Sequence, residues 1–162
     1  FRYDEINAVL AASPANLVDC EDRLFALRMV RQTENFEPLA ASFKRIRNIL
    51  RQAGEPAGAV DVNLLEHAAE KALHTEVDEL QPQVEACFAS RDYIRALQLI
   101  ATLRPAVDKF FDDVLVNAPD AGVRANRLSL LGRILNAFSS VAEFSEIVTE
   151  STTESSNSSS TN

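Results

Sequence analysis

Apolar residues recur at helical spacing along almost the whole chain. Asp4 to about Ala12 reads as a short helix, stopped by Ser13-Pro14. Leu17 to Gln32 reads as a second, with Leu24, Leu27 and Val30 on one side and Phe25 and Met29 beside them. A third begins near Thr33 to Asn35, accepts Pro38 in its first turn and runs to about Ala53. Gly54-Glu55-Pro56-Ala57-Gly58 is the clearest break. Asp61 or Asn63 then caps a helix carrying Leu64, Leu65, Ala68, Ala72 and Leu73, with Pro82 kinking or dividing it beyond Leu80. A further helix starts at Arg91-Asp92 with Ile94, Leu97 and Ile100 inward, and Arg104-Pro105 opens the next, with Val107, Phe110, Phe111 and Val114. After a turn over Asn117 to Gly122, Leu128, Leu131, Leu135, Phe138 and Ala142 predict a long last helix from about Ala121 to Ile147. With no repeat and no convincing strand, the pattern predicts an all-α bundle of about six to seven helices.

The helical domain is expected over residues 1–148, with 1–16 belonging either to it or to the end of a preceding domain or linker. Residues 149–162 are rich in Ser, Thr and Asn and lack the apolar side chains that offset ordering entropy, so a disordered tail is expected there. The chain starts at Phe1, which suggests a piece of a longer polypeptide, and no apolar run reaches the length of a membrane span. Cys20 and Cys87 share no motif spacing and read as reduced, largely buried thiols of a reducing compartment.

Charge changes the picture more than composition does. The net charge of −8 disfavours indiscriminate binding of polyanions. Residues 23–51, however, set seven cations against Glu34 and Glu37, a local +5 that leaves −13 on the remainder. Within it, Phe43-Lys44-Arg45-Ile46-Arg47-Asn48-Ile49-Leu50-Arg51 interleaves cations with an apolar stripe, so Lys44, Arg45, Arg47 and Arg51 line the flanks and outer face of one helix. Such a face suits a phosphate backbone, because each cation set against a phosphate releases condensed counterions. On charge alone, a solvated face pairing with the domain's own acidic helices is the favoured alternative.

Catalytic and metal-binding residues are not expected in this segment. His67 and His74 are seven apart, unlike the spacings of a helical metal pair, and read as a surface pair. Asp108, Asp112 and Asp113 read as solvated or paired with Arg104 and Lys109 rather than as a Mg²⁺ site.

Four stretches, in order, carry a family resemblance. They are Leu24-Phe25-Ala26-Leu27-Arg28; Leu39-Ala40-Ala41 with Lys44-Arg45-Ile46 and Asn48-Ile49-Leu50; Leu103-Arg104-Pro105, Val107-Asp108 and Phe110-Phe111-Asp112-Asp113-Val114; and Arg124-Ala125-Asn126-Arg127-Leu128, ending in Val141-Ala142-Glu143-Phe144-Ser145. Together they resemble the C-terminal anticodon-binding (DALR-type) domain of the beta subunit of bacterial-type tetrameric glycyl-tRNA synthetase. Phe25 stands where the signature of that domain has Asp, and Phe43 where the beta-subunit pattern often has Asn.

The resemblance implies a DALR-type helical bundle that recognises glycine tRNA in the cytoplasm. It also implies a heterotetramer of two alpha and two beta subunits, in which the alpha subunit activates glycine with ATP and Mg²⁺. The fragment itself would hold no cofactor or metal, touch no membrane and bind no DNA. The tRNA-binding candidates are Arg28, Arg31, Lys44, Arg45, Arg47, Asn48, Arg51, Arg124 and Arg127. Asn48 either reads a base edge or forms a helix-to-helix hydrogen bond. Arg124, Asn126 and Arg127 either meet phosphate at a helix N-terminus or pair with Asp112 and Asp113, and pairing is favoured. The alternative function is a protein-interaction scaffold or subunit-interface module without RNA contact.

Overall fold

A computed structural model describes residues 1–54 and 58–149. The described chain forms seven α-helices: α1 (Tyr3–Ala11), α2 (Leu17–Arg31), α3 (Phe36–Ala53), α4 (Ala68–Ala89), α5 (Tyr93–Ala101), α6 (Arg104–Asp113) and α7 (Ala121–Phe138). Short 3-10 turns lie at Val62–Leu64 and Phe144–Glu146. The architecture is the all-α bundle that the pattern predicts. The expected tail falls outside the described residues apart from Thr149, as do Glu55, Pro56 and Ala57 of the expected break.

Four of the helix starts have a clear local cause. Asn16, Asp92 and Asp120 cap α2, α5 and α7 by accepting from the amides of Asp19, Arg95 and Val123, which satisfies donors the first turn leaves free. Pro105 sits in the first turn of α6, where its missing N–H costs nothing. Gly54 ends α3 at φ +84°, a conformation that strains residues with a Cβ. Pro82 lies inside α4 without dividing it.

α4 packs on α5, α6 and α7; α2 packs on α1 and α5; α3 packs on α6, α7 and the Phe144–Glu146 turn. Phe144 meets Phe36 and Phe43 edge-on, with ring centroids 5.6 and 5.0 Å away. Phe36 and Phe43 lie two helical turns apart on α3, so a single ring from the C-terminal segment keys into that helix. The buried Phe43 therefore belongs to the core, not to any polar contact.

Three expectations need correction. The last helix ends at Phe138, not Ile147. Beyond it Val141, Ala142, Phe144 and Ile147 are all buried, a set that the irregular path turns inward so that Phe144 reaches α3. The carbonyls left without helical partners are met by tertiary donors: Arg23 Nη1 donates to Ser140 O at 2.7 Å, and Arg31 Nη2 to Val148 O at 3.0 Å.

The helix expected after the break begins only at Ala68. Asp61 caps the 3-10 turn instead, and Asn126 of α7 clamps the Asp61 backbone, accepting from its N–H at 2.7 Å and donating to its carbonyl at 2.9 Å. That clamp holds a non-α segment where local sequence would allow helix; Leu64 on it is exposed, as is Ala72 on the outer face of α4. In α5 the inward stripe is Tyr93, Ala96, Leu97 and Ile100, which turns Ile94 outward.

Candidate nucleic-acid interface

The amphipathic α3 is the centre of the basic segment. Its apolar stripe of Phe36, Leu39, Phe43 and Ile46 is buried. Lys44, Asn48 and Arg51 follow one another at i, i+4 and i+7 on the opposite, exposed side, and Arg45 lies three residues before Asn48. Lys44, Asn48 and Arg51 have no side-chain hydrogen bond or ion pair with any other described residue. Asn48 therefore makes no helix-to-helix hydrogen bond. Arg45 places its guanidinium 4.1 Å from the centroid of the Phe111 ring on α6.

The structure does not gather the remaining candidates there. Arg31 is buried and closes on Asp4 at 2.9 Å, Glu5 at 3.4 Å and Glu37 at 3.5 Å, joining α1, α2 and α3. Arg127 is buried as well, bonded to Glu70 and, at 2.7 Å, to the Leu115 carbonyl, with Glu66 at 3.3 Å. Arg47 is half-buried and pairs with Glu143 at 3.1 Å. Arg124 donates to the Ala118 carbonyl at 2.8 Å. Neither Arg124 nor Arg127 pairs with Asp112 or Asp113: Lys109 holds Asp113 at 2.8 Å, and Glu70 of α4 with Glu66 just before that helix supplies the acids for Arg127. Arg28 is exposed, but it borders a hollow with Phe1, Arg2 and Glu37 near the start of α3, with its guanidinium 5.7 Å from the Phe1 ring centroid.

The buried charges are satisfied ones. Arg23 pairs with Asp19 at 2.7 Å, and the Tyr93 hydroxyl donates to the same carboxylate. Burial alone would raise the Asp19 carboxyl, but the Tyr93 hydroxyl, the Ala15 amide and Arg23 outweigh it and lower its pKa to about 2. Asp4 is lowered by the same competition: burial opposes, and Arg31 with the Val148 and Glu5 amides prevails. The local +5 is thus reduced at the surface, because Arg23 and Arg31 serve the core.

Other expected chemistry is rearranged too. His67 stands at the N-cap position of α4 without a side-chain capping bond and is exposed, whereas the half-buried His74 sits 3.3 Å from Asp78, so the two do not form a surface pair. Arg104 pairs with Asp108 at 3.4 Å, as the spacing anticipated. Cys20 and Cys87 are unpaired and half-buried. Among the described residues no group of three or more His, Cys, Asp or Glu is gathered to hold a metal ion, and no helix is long and apolar enough to cross a membrane. Sequence reading missed Phe111 as the support for Arg45, which no motif signals. It also missed Arg133, which bonds Asp78 at 2.6 Å on the wall of a groove that Arg51 borders.

Comparison with known proteins places this bundle. The family model for the DALR anticodon binding domain matches residues 39–147. The chain belongs to the DALR anticodon-binding domain family. That match takes in α3 from Leu39 onward, all of α6 and the Lys44–Arg51 stripe. Among curated relatives, the glycine–tRNA ligase beta subunit of Acidobacterium capsulatum is 51% identical over 156 residues, covering 91% of this chain and 22% of its own length. The beta subunit of the same name from Desulforapulum autotrophicum is 43% identical over 148 residues, with 91% and 22% covered. That of Shewanella oneidensis is 46% identical over 145 residues, with 89% and 21% covered. The chain thus spans about a fifth of the length of these relatives.

Proposed function

We propose that the chain is the tRNA-holding domain of a glycine–tRNA ligase beta subunit and grips the anticodon stem-loop with the outer face of α3. The observation that carries this reading is the exposed stripe of Lys44, Arg45, Asn48 and Arg51, free of acidic partners among the described residues on a chain of net charge −8. Cations in this arrangement hold RNA by its phosphates and fix its orientation, and a free amide among them supplies base contact. In the proposed assembly the domain catalyses nothing: two alpha subunits activate glycine with ATP and Mg²⁺ and two beta subunits position the tRNA, in the cytoplasm.

Titrating the chain with glycine tRNA, a non-cognate tRNA and duplex DNA at several salt concentrations tests this. Glycine tRNA should bind tightest, with an affinity that falls as salt rises. Equal binding of all three would reduce the reading to a general polyanion site. A second reading, a protein-docking module, is favoured by Val18, Phe25 and Met29, exposed by 61, 58 and 54% along one side of α2. It predicts no tRNA affinity in the same titration.

A further inference from the structure

We infer that Arg45, braced by Phe111, is a stacking platform for one unpaired base of the bound RNA, with Asn48 placed to bond the edge of that base. The inference rests on the tRNA-holding reading and adds to it which residues meet a base rather than a phosphate.

The geometry separates Arg45 from its neighbours. Lys44 and Arg51 are exposed cations without partners among the described residues, as suits a mobile contact to phosphate. Arg45 has its guanidinium 4.1 Å from the Phe111 ring centroid. Phe111 is half-buried and is itself held edge-on by the fully buried Phe110, centroids 5.5 Å apart at 74°. The support therefore reaches from the core to the surface: Phe110 orients Phe111, and Phe111 orients Arg45. Arg45 stays exposed while its guanidinium rests over the ring, and a planar, weakly hydrated guanidinium stacks on aromatic planes. An ammonium group has no such plane. A base inside a duplex hides its faces in the helical stack, so the ligand that fits is an unstacked base of a single-stranded loop.

Asn48 completes the arrangement. It lies three residues after Arg45 on the same helix face, and its amide offers both a donor and an acceptor with no partner among the described residues. Stacking alone accepts any base, whereas the amide adds preference among them. Lys44 and Arg51 flank the pair within the same stripe and would hold the adjoining phosphates.

The test is a cycle of protein and RNA changes. Affinities are measured for glycine tRNA, intact or with one anticodon-loop base at a time replaced by an abasic site, against the native chain, Arg45→Ala and Arg45→Lys. At one loop position the abasic site should weaken native binding about tenfold, within the range for loss of one stacked base. Arg45→Ala should weaken binding to intact tRNA at least as much, yet the same abasic site should then add almost nothing. Arg45→Lys, which keeps the charge, should recover little of the loss. Phe111→Leu, which keeps an apolar side chain but removes the ring, should diminish the coupling while melting within a few degrees of the native chain. Losses that multiply at every position, or Arg45→Lys binding like native, would make Arg45 a phosphate contact and overturn this inference alone. Failure of the native chain to bind tRNA would overturn the underlying reading with it.

Discussion

Arg127 of α7 closes on Glu70 of α4, and Glu70 is completely buried. The same carboxylate accepts from the Glu66 amide at 2.8 Å, so it fixes the entry to α4 while it neutralises the arginine. Arg127 also reaches the Leu115 carbonyl, which ties the α6–α7 connection to the same point. A residue that by sequence resembles an RNA contact is instead the fastening between three parts of the bundle.

Removing either partner alone leaves a buried charge uncompensated. Arg127→Ala or Glu70→Ala should each cost about 3–5 kcal/mol in urea unfolding. Replacing both by apolar residues, Arg127→Met with Glu70→Leu, should cost less than either single change. A single change costing under about 1 kcal/mol would show that water reaches the pair.

Charge reversal should separate surface cations from core cations. Lys44→Glu with Arg51→Glu should weaken tRNA binding at least tenfold, or about 1.4 kcal/mol, and flatten the salt dependence by roughly one to two units of slope. Its melting temperature should stay within a few degrees of native, since neither residue has a partner to lose among the described residues. Arg31→Gln should do the reverse, lowering the melting temperature by stranding Asp4 and Glu5 while the exposed stripe stays intact. Equal affinities for native chain and double mutant would move the RNA site off α3.

The two adjacent phenylalanines of α6 should behave differently. The pattern predicts both rings largely buried, but about 100° of helical rotation separates neighbours. Phe110 is fully buried, and Phe111 only partly. Phe110→Ala should cost about 3–5 kcal/mol. Phe111→Ala should cost clearly less in stability but should weaken RNA binding, because it frees Arg45 from its support. Thermal melts and tRNA titrations on the two variants distinguish these outcomes.

Acid should loosen α2 from α5. The Asp19 carboxyl is lowered from 3.8 to about 2 in the folded chain. A depressed carboxylate contributes stability that is complete above its unfolded pKa and lost as pH falls through the folded one, here from about pH 4 towards pH 2. Tyr93→Phe removes the hydroxyl that donates to Asp19 and raises the folded pKa. Its acid-unfolding midpoint, followed by circular dichroism, should move to higher pH. An unchanged midpoint would mean that Asp4 and the other carboxylates govern acid unfolding.

By itself the sequence determined the helical class, the run of α3 and the two-sidedness of that helix, because each depends on residues within a few turns of one another. Lys44, Asn48 and Arg51 share a face through the helical repeat alone. What only the tertiary structure decided is which cations stay at the surface. Arg28 and Arg31 are three apart on α2, yet one is exposed and the other lies against Asp4, Glu5 and Glu37. Arg124 and Arg127 differ too, the first half-buried on the Ala118 carbonyl and the second buried against Glu70, and Arg45 acquires Phe111 from a helix distant in sequence. Even the end of α7 is a tertiary outcome. Its apolar pattern continues past Phe138, but burying Phe144 between Phe36 and Phe43, with Arg23 and Arg31 meeting the freed carbonyls, outweighs another two turns of helix. Local spacing records which residues are apolar; the partners that satisfy a buried charge or a released carbonyl come from other helices, and no local pattern names them.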